Sequence, residues 1–152
     1  MCVLTGDFRA DLYGEIAELW RLTGVGRPER GDDLARIQHT LRNGGKMICA
    51  LEGGKVVGTS WLTQDGRRVY VHHMAVHPSH QGRGIGRRLL AASLEAAAAL
   101  GLQVKLEVHQ DNAAALRIYR DAGFVTLEGY VSMIRRSTSA PGSCPSRGGE
   151  GP

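Results

Sequence analysis

The sequence predicts a single layered α/β domain on a mostly antiparallel sheet with one internal crossover. Three observations predict it. The chain is 152 residues long, one ordinary domain's worth. Short apolar runs of strand type are interspersed with stretches of helical period. In order, the elements read strand, helix, helix, three strands, helix, strand, helix and two closing strands, which makes a six- to seven-stranded sheet flanked by four helices.

Residues 2–4 form a short first strand. Leu12, Ile16, Leu19 and Trp20 then recur at helical spacing, with Asp11 placed to cap the start and Gly24 to stop it. After the loop GVGRPERG, Asp32 and Asp33 offer a cap for a second helix. Its Leu34, Ile37 and Leu41 share a face, and it ends at Gly44 and Gly45. KMICALEGGKVVGTSWL reads as two strands turned at Gly53 and Gly54, a pair suited to the positive φ of a tight hairpin. RRVYVHHMAV is the next strand, ending near His77 and Pro78. A helix over residues 84–100 carries Ile85, Leu89, Ala92, Ala96 and Leu100 along one stripe, with Gly101 after its last turn. Strand 104–108 follows. Asp111 or Asn112 caps a helix through Ala115, Leu116 and Tyr119 to Gly123, and FVTLEGYVSMI reads as the closing pair of strands. Past Arg136, STSAPGSCPSRGGEGP has too few apolar side chains to offset its ordering entropy. The expected division is a domain over 1–136 and a disordered tail over 137–152.

Composition removes several function classes. Nineteen Lys and Arg against fifteen Asp and Glu give +4, which suits an anionic small molecule as well as nucleic acid. No basic stretch is interleaved with aromatics, so nucleic acid is not expected as a partner. Cys2, Cys49 and Cys144 have no metal spacing, and their odd number with no leader argues against a secreted disulfide framework. Cys49, in the apolar run MICALE, reads as a core residue. His77, His80 and His109 show no ligand pairing, and His39 falls on a helix's polar side; no metal is expected. No apolar run reaches the roughly 18 residues of a membrane span, so a cytoplasmic protein is expected.

The chemistry concentrates in HPSHQGRGIGRRLL, residues 77–90. A strand running into glycines and then a helix lets backbone N–H groups and the positive end of the helix meet a phosphate. Arg83, Arg87 and Arg88 add charge beside it. A nucleotide P-loop would need a Lys after the glycines, and none is present. A dinucleotide fingerprint would need GxGxxG directly after the strand. Here Gly82, Gly84 and Gly86 make GxGxG, with Arg87 at the third glycine's place, although Glu107 stands where a ribose-binding acid would.

QGRGIG matches QxxGxG, and the chain resembles the GCN5-related N-acetyltransferases, whose pyrophosphate-binding signature this is. Thirty residues on, DNAAALRIYRDAGF resembles the family's second signature: an Asn opening a helix, a Tyr two turns later and a closing Gly-Phe. The two matches and the element order cover roughly residues 3–135. The resemblance implies acetyl-coenzyme A as co-substrate, with its pyrophosphate on the amides of Gln81, Gly82, Arg83, Gly84, Ile85, Gly86 and Arg87. Its pantetheine arm would pair with the backbone of Met74, Ala75 and Val76, as an extended chain pairs with an open sheet edge. Asn112 would contact the arm as well as capping its helix.

Acetyl transfer needs an unprotonated amine, a polarised carbonyl and a proton for the leaving thiolate. Tyr119, seven residues after Asn112 and on the same helix face, is expected to serve the thiolate; a backbone N–H near Val76 would polarise the carbonyl. Two residues compete for the base. Alternation along RRVYVHHMAV sends Tyr70, His72, Met74 and Val76 to one face and His73 to the other, unless a bulge shifts the register. One histidine is therefore expected at the site: His72, which by its place before the Val resembles one used by arylalkylamine-acetylating members. Glu107 resembles the base of ribosomal-protein N-terminal acetyltransferases, and there it would need burial to raise its pKa. Acceptor choice in the family is set by the loop between the first two helices, where Arg27, Glu29 and Arg30 stand, and by the last strand pair.

The acceptor is expected to be a primary amine of a small molecule, or a protein N-terminus or lysine. A non-catalytic acetyl-coenzyme A-binding module, acting as sensor or partner subunit, is the alternative, with a dinucleotide-binding protein behind it. The closing strands offer an edge for a second copy, so a homodimer is possible on this reading.

Overall fold

The hairpin at Gly53 and Gly54 forms, both glycines at positive φ (57° and 80°), and the sheet is built outward from it. The computed structural model describes residues 1–26 and 28–136; the expected tail over 137–152, Cys144 and Arg27 lie outside the described residues. In chain order the elements are β1 (Cys2–Thr5), α1 (Tyr13–Thr23), α2 (Leu34–Arg42), β2 (Lys46–Glu52), β3 (Lys55–Gln64), β4 (Arg68–Val76), α3 (Ile85–Ala99), β5 (Gln103–Leu106) and α4 (Ala113–Asp121). Strand order follows chain order, β1-β2-β3-β4-β5. The first three pairings are antiparallel and β4–β5 is parallel, with α3 as the crossover.

The apolar alternation sorts the strands between two cores. One face of the sheet packs Ile48, Ala50, Val57, Leu62, Val69 and Val71 against Ile85, Leu89 and Ala97 of α3. The other packs Met47, Cys49, Val56, Trp61 and Ala75 against Leu12 of the turn before α1 and Ile16, Leu19, Trp20 and Ile37 of α1 and α2. Cys49 is a core residue as expected, and burial pushes its thiol up to about 12. Two indoles fix the second layer: Trp61 Nε1 donates to Thr40 Oγ1 at 2.8 Å, and Trp20 Nε1 to Thr59 Oγ1 at 2.9 Å.

Several expectations are corrected. The closing strands over FVTLEGYVSMI do not form, so the sheet has five strands rather than six or seven among the described residues. A strand needs a paired edge and a covered face. Here β5 offers four residues, and Val125, Tyr130, Val131, Met133 and Ile134 are all exposed. β5 itself ends at Leu106, not at 108, which leaves Glu107 just beyond the strand. Asp11 caps nothing: it sits in a 3₁₀ turn before α1 and pairs with Arg9. Of the two aspartates before α2, Asp33 is the cap, accepting from the Arg36 amide at 2.7 Å. Asp32 turns toward β4.

Candidate active site

β4 carries an irregularity that rearranges the expected site. Its register against β3 jumps between Trp61↔His72 and Thr59↔Ala75, so His73 and Met74 together oppose Ser60. That is a β-bulge, and it reverses the alternation downstream. Val69 and Val71 face α3 before it; Met74 and Val76 face α3 after it. His72 therefore does not share a face with Met74, and both histidines lie on the α1–α2 side: the His73 ring stands 4.5 Å from Trp20 and 5.2 Å from Trp61, and His72 6.2 Å from Trp61. The one-histidine expectation is overturned. The signal was present in the sequence, because apolar residues occupy odd positions at Val69 and Val71 and even ones at Met74 and Val76.

A buried chain holds the bulge. Thr59 Oγ1, itself accepting from Trp20 Nε1, donates to the His73 carbonyl at 2.9 Å. His73 adopts φ 45°, the one positive φ outside glycine among the described residues. Such backbone persists only where its surroundings over-determine it.

Past Val71↔Leu106, β5 stops pairing and β4 runs on alone on that side through Val76. The two parallel strands part here. The His77 amide bonds Val57 O of β3 at 2.8 Å, so by alternation the N–H and C=O of Val76 point away from β3, toward the open edge. Gln81 Nε2 reaches the Val76 carbonyl from that side at 3.1 Å. By the same alternation Ala75 turns its backbone to Thr59 of β3 rather than to the open edge, contrary to the expectation for it, and its side chain is buried under α1 and α2.

The open edge leads to the start of α3. Gly84 is the N-cap at φ 77° and Gly82 has φ 74°; a Cβ at either would meet nothing within 4 Å, so backbone conformation rather than space calls for glycine. In the first turn, the amides of Ile85, Gly86 and Arg87 have no intrahelical acceptor. α4 docks alongside, with Ile118 Cδ1 3.5 Å from a Cβ built on Gly86 and Arg87 bonded to Asp121 at 2.7 Å. Asn112 caps α4, its side chain accepting from the Ala115 amide at 3.1 Å. The arginines expected to add free charge beside the loop are engaged elsewhere. Arg83 grips Glu52 at 2.7 and 3.1 Å, and Arg88 donates to the Cys2 carbonyl at 3.0 Å. His80 also meets Glu52 at 2.9 Å.

His72 is exposed and its Nε2 lies 2.8 Å from the Thr63 hydroxyl. Its imidazole titrates below the usual value, chiefly because the surrounding rings displace water and next because of His73; Glu107 and Asp32 pull the other way. The structure thus groups His72, His73, Asp32 and Glu107 by mutual electrostatics. Glu107 is exposed and accepts from Ser132 Oγ at 2.7 Å, so the burial a basic role would require is missing. Tyr119 on α4 is 8% exposed, stands edge-on to Phe124 at 5.7 Å, and is shifted upward by burial. Sequence reasoning did not place His73 and Asp32 beside His72. Glu29 and Arg30 lie exposed in a 3₁₀ turn. Clefts of about 240 and 310 Å³ lie elsewhere, lined in common by Lys46, Ala96 and Ala99, and neither includes an expected site residue.

A sheet that parts beside a glycine-capped helix, over paired histidines, has the form of an acyltransferase. The chain belongs to the acetyltransferase (GNAT) family, whose sequence model matches residues 12–124. It is 47% identical over 81 residues to the N-alpha-acetyltransferase RimI of Mycobacterium tuberculosis (51% of this chain, 50% of that protein). It is 39% identical over 101 residues to the mycothiol acetyltransferase of Clavibacter michiganensis (65% of this chain, 33% of that protein). The chain thus spans a third to a half of the length of these curated relatives. An acetyltransferase structure from Streptococcus agalactiae superposes with TM-score 0.76 at 19% identity, covering 88% of this chain and 91% of that one. The structure of AAC(6')-Iy, solved with a coenzyme A bisubstrate analogue, gives 0.70 at 16%, covering 90% and 99%. No helix among the described residues is long and apolar enough to cross a membrane.

Proposed function

We propose that this chain transfers an acetyl group from acetyl-coenzyme A to a primary amine, by direct attack with both substrates bound. The observation that carries the reading is the unpaired edge of β4 over Val76, running into the glycine-capped start of α3. An extended amide-bearing arm pairs with such an edge, and the bare first-turn amides of α3 suit its pyrophosphate. Acetyl-coenzyme A supplies the activated thioester; the remaining work falls to the chain. The Val76 N–H, aimed at the open edge, is a donor for the developing oxyanion.

Of the two bases, His72 is favoured. Its depressed titration leaves the imidazole neutral, and so able to accept a proton from the amine, at neutral pH. Exposed Glu107 tunes that imidazole rather than replacing it. Tyr119, kept protonated by burial, stands as donor to the leaving sulfur. A phenol near 10 and a thiol near 8.5 make full proton transfer uphill by about 2 kcal/mol before burial adds to it. Tyr119 therefore acts chiefly by hydrogen bonding to the departing thiolate. The names of the relatives point to two acceptor groups for a first screen, peptides with free α-amino groups and small aminated metabolites. Thiol release from acetyl-coenzyme A, dependent on an amine, is the expected result. Acetyl-coenzyme A binding with no release under any acceptor would instead make the chain a binding module.

A further inference from the structure

Asp32 and His73 bring together two parts of the chain that the sequence keeps far apart. Nε2 of His73 lies 3.0 Å from Oδ1 of Asp32, with the two side chains 14% and 13% exposed. Both ring nitrogens of His73 are buried with no hydrogen bond among the described residues, and the contact with Asp32 is an ion pair when the imidazole carries its second proton. The ring is packed between Trp20 and Trp61. Gly26, in the segment between α1 and α2, closes over it: a Cβ there would come within 2.8 Å of Cδ2 and 3.0 Å of Trp20.

We propose that Asp32 and His73 are a positioning pair for acetyl transfer, an ion pair that latches the segment between α1 and α2 onto the β4 bulge and holds His72 beside the open sheet edge. The inference rests on the reading of His72 as base. A buried ion pair seldom stabilises a fold more than apolar packing of the same volume would, and Trp20 and Trp61 already supply such packing. What the pair adds is a charge next to His72, whose ring centroid is 6.5 Å from that of His73. The groups facing His72 are Trp61 and Thr63 from β3, Tyr70 and His73 from β4, Glu107 after β5, and Asp32 before α2. Among the charged ones His73 disfavours a proton on His72, and Glu107 and Asp32 favour it. The pair therefore sets the local charge that His72 meets, with the carboxylate on the far side of His73 from it. Latch and tuning are one device: the segment closes over the bulge in the state that leaves the base ready.

The test needs no acceptor. Imidazole ¹⁵N titration of His72 and amide exchange at Gly26 are measured in the full chain, its H73N and D32N variants, and the double variant. Asn is chosen at 73 because it tolerates positive φ and carries no charge. In H73N the His72 midpoint rises by roughly 0.5 to 1, as expected for removing a charge at this separation in a mostly aqueous setting. D32N, which keeps His73 and removes a carboxylate that favours a proton on His72, does not show the rise seen in H73N. Gly26 exchanges at least tenfold faster in each single variant, and no faster again in the double. An unmoved His72 midpoint in H73N, or additive exchange effects, overturns the pair. Thiol release by H72Q is read separately: full turnover there would overturn the base reading, and with it the pair's catalytic consequence, even if the latch were intact.

Discussion

Replacing Thr59 by Val tests whether the bulge is held as described. Valine keeps the volume and the β-branch, so no cavity opens, and only the hydroxyl is lost. That hydroxyl accepts from Trp20 Nε1 at 2.9 Å and donates to the His73 carbonyl at 2.9 Å, and Thr59 and Trp20 are 0% and 2% exposed. Two buried polar groups lose their partners together. At about 1–3 kcal/mol for each unsatisfied group, with some relaxation, the expected loss is about 2–4 kcal/mol. That is a large share of a total of roughly 5–15 kcal/mol, and corresponds to a fall in Tm of roughly 5–15 °C. Serine is the matched control, keeping the hydroxyl and losing a methyl, for about 1 kcal/mol. Urea unfolding followed by tryptophan fluorescence, with the slope unchanged between variants, gives both values. If T59V fell within about 0.5 kcal/mol of the parent, or cost less than T59S, the hydrogen-bonded chain would not be what holds the bulge.

Three further outcomes are expected. Gly84→Ala meets no neighbour, so its cost is the left-handed φ alone, about 1–2 kcal/mol; Tm falls by a few degrees and calorimetry shows weaker acetyl-coenzyme A binding, whereas unchanged affinity would detach the loop from the pyrophosphate. Tyr119→Phe keeps the edge-on packing with Phe124 and lowers turnover about 10–100-fold at unchanged cofactor affinity; equal turnover would remove the phenol as donor. His72, lowered in the folded chain from 6.5, binds a proton more readily when unfolded. Its contribution to stability is present above 6.5 and is lost as pH falls through the lower folded value. Denaturation midpoints of H72Q should accordingly show a flatter pH dependence below 6.5 than those of the parent.

Much of this architecture is legible in the residues because burial leaves a period. Ile16, Leu19 and Trp20 mark α1, and the alternation of Met47 and Cys49 with Ile48 and Ala50 marks a strand covered on both faces. Gly53 and Gly54 mark their own turn. Legibility fails where one extra residue is decisive. A bulge leaves the composition of β4 untouched and reverses only its parity, and that reversal moved His73 from one side of the sheet to the other. Asp33 and Asp32 are equivalent as letters, yet one caps α2 and the other meets His73, far along the chain. The stretch after Phe124 shows the opposite failure. Its alternation is of strand type, but pairing is a property of the edge it must meet, and no local pattern encodes that edge.

The three arginines around the glycine loop carry a consequence for how an anion would be held there. With Arg83 spent on Glu52, Arg87 on Asp121 and Arg88 on a main-chain carbonyl, the attraction falls to oriented amides at close range rather than to mobile surface charge. Dipoles in contact are little affected by a Debye length of about 8 Å, whereas free guanidinium groups are. The affinity of this loop for a phosphorylated ligand should therefore change little with added salt, and a protein so built keeps its grip across solutions of very different ionic strength.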